Sequence, residues 1–235
     1  MKLLALDTAS AQCSVALLLD GAITSREVAT ARDHAQLILP MIDAVLAQAG
    51  MTLRQLDGIA FGRGPGSFTG VRVAAAVTQG LAAGADLPVL PVSDLRALAL
   101  GATRDLSLGR PDCDAGNVLA CMDARMGEVY WAAYSIDGRG LGSSVTEESV
   151  AAPQVVISLC PPCIAGAGRG LAAAPQIAES LQLPAAATRA EAEPHAMDVA
   201  LLAASDLAAG ALWLDAALAQ PVYVRNQVAI AKTQG

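Results

Sequence analysis

Residues 61–72 read FGRGPGSFTGVR, four glycines and a proline between an apolar run and an alanine-rich stretch. Glycine loops hold phosphate when backbone N–H groups converge on the anion and a lysine neutralises it. No lysine lies here, so the Walker pattern fails. The dinucleotide pattern fails too, because Gly62 with Gly64 would require glycine where Ser67 stands, and Gly64 with Gly66 would require it where Thr69 stands. A nucleophile elbow needs glycine two places either side of its serine, and around Ser67 those places hold Pro65 and Thr69. What remains is a strand-to-helix turn in which the glycines allow positive φ, Pro65 stiffens the backbone, and Ser67 or Thr69 caps the next helix. Arg63 and Arg72 flank this turn, suited to an anion or to a partner's carboxylates, and the interface reading is preferred.

Other candidate chemistry is sparse. Cys160-Pro161-Pro162-Cys163 has metal or redox spacing, but a structural zinc site needs four ligands and no second matching pair occurs, so the pair is read as incidental. The two histidines, His34 and His195, form no H-x-x-x-H arrangement, and no metal site is assigned. No catalytic residue is assigned either. Gly166-Ala167-Gly168-Arg169-Gly170 reads as a turn, and Met122 and Trp131 read as core.

The elements that must position the loop follow from periodicity. Leu3–Leu6 ending at Asp7, Ser14–Leu19, the Asp20-Gly21 turn and Ala22–Glu27 predict strand, turn, strand, tight hairpin, strand. His34–Gly50 repeats Ile38, Met41, Ile42, Val45, Leu46 and Ala49 at helical spacing, with Pro40 in its first turn or at a kink. A buried strand, Gly58–Phe61, leads into the loop, and a helix, Val71–Gly84, leads out. Both helices carry apolar residues beyond a single stripe. Val73, Ala76, Val77, Gly80, Leu81 and Gly84 line one side of the second, while Ala74, Ala75, Ala82 and Ala83 leave the other nearly bare. Either both are central helices of one core, or together they present an apolar surface to a second subunit, which is the sharper reading.

A further strand at Leu87–Val92 and a helix at Asp94–Leu100 complete a first half, and the polar stretch Gly101–Gly116 reads as a linker. Then the opening pattern returns. Val118–Asp123, Val129–Tyr134 and Asp137-Gly138 repeat it, with 14 positions from Asp7 to Gly21 and 15 from Asp123 to Gly138. The reading is a duplicated α/β chain, with one half at residues 1–102, a second at 103–220 and a tail at 221–235.

Composition narrows function. With 54% hydrophobic but 3% aromatic residues, the core must be aliphatic, built from closely approaching helices. A net charge of −7 without a Lys/Arg run argues against direct, tight nucleic-acid binding by the chain alone. Asp7 interrupts the first apolar run too early for a secretory core, and Asp198, Asp206 and Asp215 break Met197–Leu218 before a membrane span accumulates, so a cytoplasmic protein is expected. Five cysteines, Cys13, Cys113, Cys121, Cys160 and Cys163, argue against a disulfide framework.

Duplicated halves with a leading hairpin resemble the actin, sugar-kinase and heat-shock ATPase (ASKHA) fold, in which each half turns its first hairpin toward nucleotide phosphates. Here the first turn, Asp7–Gln12, has no glycine, and the second sets Glu128 beside Gly127. Leu4–Ala9, Cys13–Leu17, His34 with Ile38-Leu39-Pro40, GRGPGSFTGVR, Gln79–Ala82, Asp123–Tyr130 and Pro221–Asn226 together resemble the TsaB (formerly YeaZ) family across nearly the whole chain.

That resemblance implies an accessory subunit for threonylcarbamoylation of the adenosine beside the anticodon in tRNAs reading codons that begin with A. It implies pairing with the catalytic paralogue TsaD through amino-terminal helices, participation of the ATPase TsaE, self-association through the same surface, and tRNA contact only within the complex. It implies no cofactor on this chain, with ATP and metal on the partners. Carried onto this sequence, the contact is expected at His34, Leu37, Met41, Val73, Ala76, Val77 and Gly80. Gly64, Pro65, Gly66, Ser67, Thr69 and Arg72 are expected to shape the loop. Where TsaD-like chains follow the Pro-Val strand with histidines, Pro91-Val92 is followed by Ser93-Asp94-Leu95-Arg96. The rival readings are a small-molecule kinase or ATPase of the same fold and a glycoprotease-like peptidase.

Overall fold

A computed structural model describes residues 1–30, 32–108, 115–137 and 140–224. The first half runs β1 (Lys2–Asp7), β2 (Gln12–Leu19), β3 (Ala22–Ala29), α1 (His34–Gln48), β4 (Gly58–Gly62), α2 (Phe68–Ala85), β5 (Val89–Val92) and α3 (Asp94–Asp105). The second runs β6 (Gly116–Asp123), β7 (Val129–Asp137), β8 (Gly140–Ser144), β9 (Ser149–Ala151), α4 (Pro153–Leu159), β10 (Ala165–Ala167), α5 (Arg169–Ala173), α6 (Gln176–Ser180), β11 (Thr188–Arg189) and α7 (Ala196–Ala208).

The first sheet has the order β3-β2-β1-β4-β5 and the second β8-β7-β6-β10-β11, with β9 beside β7. In each, the first three strands form antiparallel hairpins and the next two run parallel to the first. The duplicated α/β, ASKHA-type fold expected from the sequence is therefore present. The Asp20-Gly21 turn has positive φ at both residues, 49° and 92°, which suits an Asp-Gly pair in a two-residue hairpin. Gly138, in the corresponding second turn, lies outside the described residues, as do Cys113, Arg225 and Asn226.

Alternation along each strand divides its side chains between two cores. Leu4, Leu6, Val15, Leu17, Ile59 and Phe61 pack with Ile38, Ile42 and Val45 of α1 and with Ala75 and Ala82 of α2. On the opposite face Leu3, Ala5, Ala16 and Ala60 meet Val199, Ala200 and Ala203 of α7. Small side chains on both surfaces let α7 lie close to the sheet, which is how an aliphatic chain fills this layer without aromatic bulk.

The ends of the halves are exchanged. α3 packs on β6, β7, β8 and β10 of the second sheet, α7 packs on β1, β2, β4 and β5 of the first, and the two helices pack against each other. This corrects two sequence expectations. A boundary between residues 102 and 103 falls inside α3, and α7, assigned to the second half, belongs to the core of the first sheet. The expected linker also begins later than Gly101. Its polar residues are helical because the Thr103 hydroxyl donates to the Ala99 carbonyl at 2.8 Å and Arg104 pairs with buried Asp198 of α7 at 2.5 Å. Of the Met197–Leu218 stretch, only the part up to Ala208 is α-helix, and among the described residues no helix is long and apolar enough to cross a membrane.

Candidate functional site

The glycines of the loop are explained by what lies against them. A Cβ on Gly62 would sit 2.1 Å from Asp94 Oδ1 and 2.8 Å from Asp7 Oδ2. One on Gly66 would meet the Ala9 carbonyl oxygen at 2.4 Å, and one on Gly70 the Thr8 carbonyl oxygen at 1.9 Å. Gly64 has φ +102° and faces the Val222 carbonyl. The loop is thus pressed onto the first hairpin turn on one side and the carboxy-terminal segment on the other.

Its donors are engaged there. The Gly64 N–H donates to Asp94, Ser67 N–H to the Ala9 carbonyl at 2.7 Å, and Val222 N–H to the Arg63 carbonyl at 2.7 Å. Ser67, not Thr69, is the cap of α2: its hydroxyl accepts from Gly70 N–H at 3.4 Å, while Thr69 sits exposed in the first turn.

The flanking arginines have partners within the chain, which corrects the expectation that they await an anion or a partner's carboxylates. Arg63 donates to both oxygens of Glu148 at 3.2 Å, tying the loop to the second half. Arg72 lies 3.6 Å over the Phe68 ring and donates to the Tyr223 hydroxyl at 2.7 Å. Beneath the loop, burial pushes the Asp7 carboxyl well above its usual range, and the Asp94 charge adds to that. Burial raises Asp94 to about 6, offset by its interaction with the facing Asp7 carboxyl and by the hydrogen bond from the Gly64 amide. Facing carboxyls in such a place share a proton at neutral pH. Among the described residues no group of three or more His, Cys, Asp or Glu side chains is placed to hold a metal ion.

The two amino-terminal helices pack against each other and leave a face outward. On α2 the buried side is Val71, Ala74, Ala75, Thr78, Ala82 and Ala85. Ala76, Gly80, Ala83 and Gly84 are exposed, and Val73, Val77 and Leu81 half-buried. On α1, Leu39 is 46% exposed beside half-buried Leu37. His34 and Met41, expected at the contact, are instead in the chain's own core, 5% and 7% exposed. They share the inward side of α1 with Ile38, Ile42 and Val45, so the period that suggested them marks the core stripe.

Gly80 and Gly84 carry the clearest signal on this face. Among the described residues, apart from chain neighbours and the backbone of its own helix, neither has an atom within 4 Å of where a Cβ would stand, and neither has positive φ. Glycine inside a helix costs roughly 0.5–1 kcal/mol relative to alanine. Nothing among the described residues requires that cost.

Comparison with known proteins places the chain. Residues 27–230 match the family profile described as TsaD: tRNA N6-adenosine threonylcarbamoyltransferase. A crystal structure of an uncharacterised protein, described as similar to the peptidase YEAZ from Pseudomonas aeruginosa, superposes with a TM-score of 0.83 at 41% identity, over 95% of this chain and 99% of that one. YeaZ from Pseudomonas aeruginosa gives 0.80 at 39% identity over 94% and 99%. The Escherichia coli and Haemophilus influenzae proteins named tRNA threonylcarbamoyladenosine biosynthesis protein TsaB are 46% and 54% identical over 156 and 131 residues. The chain belongs to the TsaB (YeaZ) family. The matched part spans 64% and 52% of those two curated relatives.

Within this TsaB-family chain, three parts of the site had no distinct signal in the sequence. Asp94 reads there as an ordinary helix-start carboxylate after Ser93, and Glu148 as one charge in a polar run. Tyr223 stands in a recognisable motif, but nothing in the motif says that its hydroxyl accepts a hydrogen bond from Arg72, 151 residues away.

Proposed function

We propose that this chain is a non-catalytic subunit in the biosynthesis of tRNA threonylcarbamoyladenosine, acting as the docking scaffold of the catalytic subunit TsaD. The modified base is the adenosine next to the anticodon in tRNAs reading codons that begin with A. The observation that carries this reading is the open, glycine-bearing face of α2 beside Leu37 and Leu39 of α1. Its small residues suit another helix at close range, and its apolar character suits burial. Leu37, Val73, Ala76, Val77 and Gly80 form the contact, His34 and Met41 support it from beneath, and a second copy of this chain competes for the same face. TsaE joins the assembled pair, and tRNA, ATP and metal are held by the partner subunits. A cytoplasmic site of action goes with a tRNA substrate.

The loop geometry supports a scaffold over the two rivals. A phosphate-binding loop needs N–H groups free to reach an anion, and those of Gly64 and Ser67 point into the protein. A serine peptidase needs its hydroxyl beside a base, and among the described residues the Ser67 hydroxyl pairs with the Gly70 amide and with neither histidine.

The test is Gly80→Glu and Ala76→Glu. In the free chain both side chains reach solvent, so melting temperatures stay within about 2 °C of the parent, as for surface substitutions generally. At the contact a buried, unpaired carboxylate costs roughly 3 kcal/mol, over a hundredfold in affinity. Co-purification with TsaD and reconstituted tRNA modification therefore fall together. Full yield of complex from both variants would overturn the assignment, and micromolar binding of Mg-ATP to the isolated chain would favour the kinase reading.

A further inference from the structure

Cys160 closes α4 and Cys163 stands two residues before β10, and their sulfurs lie 3.7 Å apart. Both are half-buried, and each thiol also points at the Pro161 carbonyl, at 3.4 and 3.3 Å. The turn between them is held from both ends. The Cys160 N–H donates to the Val156 carbonyl at 2.8 Å, the Asn117 side-chain amide donates to the Pro162 carbonyl at 2.8 Å, and the Ile164 N–H donates to the Asn117 carbonyl at 2.8 Å. Two prolines inside the turn fix φ at both intervening positions. The approach of the two sulfurs is therefore set by backbone that is anchored to α4 and to β6. A disulfide has its sulfurs about 2.0 Å apart, so closure of this pair draws them together by less than 2 Å.

A metal is the other use for two cysteines at this spacing. Tetrahedral zinc needs four ligands, and among the described residues no third His, Cys, Asp or Glu joins the pair. The remaining described cysteines offer no competing thiol. Cys13 and Cys121 are fully buried, and burial pushes both thiols up, Cys13 to about 11.

We propose that Cys160 and Cys163 are a dithiol–disulfide exchange site that closes reversibly against small-molecule disulfides of the glutathione class. The Cys160 thiolate attacks one sulfur of glutathione disulfide. The S–S bond breaks, one glutathione leaves as thiolate and takes a proton from solvent, and a mixed disulfide remains on Cys160. The Cys163 thiol then gives its proton to solvent and attacks the Cys160 sulfur, breaking the mixed disulfide and releasing the second glutathione. Two protein thiols are oxidised and one glutathione disulfide is reduced to two thiols. Cys160 goes first because the hydrogen bond between the two thiols lowers the Cys160 thiol and raises Cys163. Under reducing conditions the pair rests open, and it closes as the disulfide-to-thiol ratio rises.

The test uses the full-length protein equilibrated with glutathione mixtures, quenched in acid, alkylated with a maleimide and mapped by peptide mass. Closure removes two alkylation sites and leaves Cys160 and Cys163 joined, two hydrogens lighter, reversibly with dithiothreitol. Cys163→Ser is expected to stop at a stable glutathione adduct on Cys160, and Cys160→Ser to slow adduct formation at least tenfold. The folded protein should close at a disulfide-to-thiol ratio at least tenfold lower than the same chain in urea. A bridge formed through Cys113, an adduct that never closes in the parent protein, or closure no easier folded than in urea would each overturn the proposal.

Discussion

At the scale of single residues, the least expected feature is the carboxyl pair under the glycine loop. Asp7 and Asp94 are fully buried, and Asp7 Oδ2 and Asp94 Oδ1 converge over Gly62, where no side chain intervenes. Both groups take up protons more readily in the folded chain than at the ordinary value of 3.8, Asp94 near 6 and Asp7 pushed well above its usual range by burial and the Asp94 charge, and Asp198 is raised to about 6 by burial despite Arg104. Between pH 3.8 and 6 the folded state therefore binds more protons than the unfolded one, and above 6 Asp94 and Asp198 are charged at a cost. Stability is expected to be highest below that window and to decline as pH rises from about 4 through 6. Asp94→Asn keeps an acceptor for the Gly64 amide and removes one buried charge. It should gain about 2–3 kcal/mol at pH 8, the size of a two-unit shift, and flatten the pH profile, leaving the slope due to Asp198. Urea midpoints at pH 4, 5, 6 and 8 measure both effects, and a flat profile in the parent would refute the raised carboxyls. Sequence patterning shows Asp7 at the end of an apolar run but not its neighbour, since the two meet across 87 positions and neither position has a distinguishing period.

At the scale of elements, the two glycine-rich turns solve the same packing problem. After β4, Gly66 and Gly70 press on the Ala9 and Thr8 carbonyls at the end of β1; after β10, Gly168 and Gly170 press on Cys121 near the end of β6. In both halves a parallel strand hands over to a helix against the first strand's exit, and a side chain there would push the two apart. The composition of the loop was legible as a helix-capping turn because phosphate templates failed on it. Which face of α2 pointed outward was not, because alanine and glycine occupy both faces and give periodicity little contrast. Two substitutions separate these roles. Gly70→Ala places a methyl 1.9 Å from the Thr8 carbonyl oxygen, where backbone must move, and should cost roughly 3 kcal/mol. Gly80→Ala meets nothing and should stabilise the free chain by roughly 0.5–1 kcal/mol. Chemical denaturation of the two variants checks the contrast, and equal effects would mean that the loop's close approach to the hairpin turn is not what holds it.

At the scale of the whole molecule, the exchange of α3 and α7 makes each half depend on the other. The repeated strand pattern revealed the duplication, and the alanine-rich stripe of α7 revealed a buried helix, but a stripe does not name the surface that covers it. Contacts made across a hundred residues leave no local trace. The exchange is fastened by two ion pairs between the helices, Arg96 to Asp206 at 2.7 Å and Arg104 to Asp198, the latter carboxylate having no exposed surface. Removing Arg104 takes away the charge that offsets burial at Asp198, so at pH 8 that carboxyl must either stay charged without its partner or take up a proton, and Arg104→Ala should cost about 1–3 kcal/mol there after allowance for the partly exposed guanidinium. It should cost less at pH 5, where the carboxyl is protonated. The larger consequence is cooperative folding. Residues 1–108 alone would carry α3 without the second sheet and a first sheet stripped of α7, exposing Leu3, Ala5, Ala16 and Ala60 on one side. That fragment is expected to be insoluble or molten by itself, and to become soluble and protected from proteolysis when residues 115–235 are co-expressed. A fragment that folds alone, with a sharp thermal transition, would show that the exchange decorates two independent halves instead of joining them.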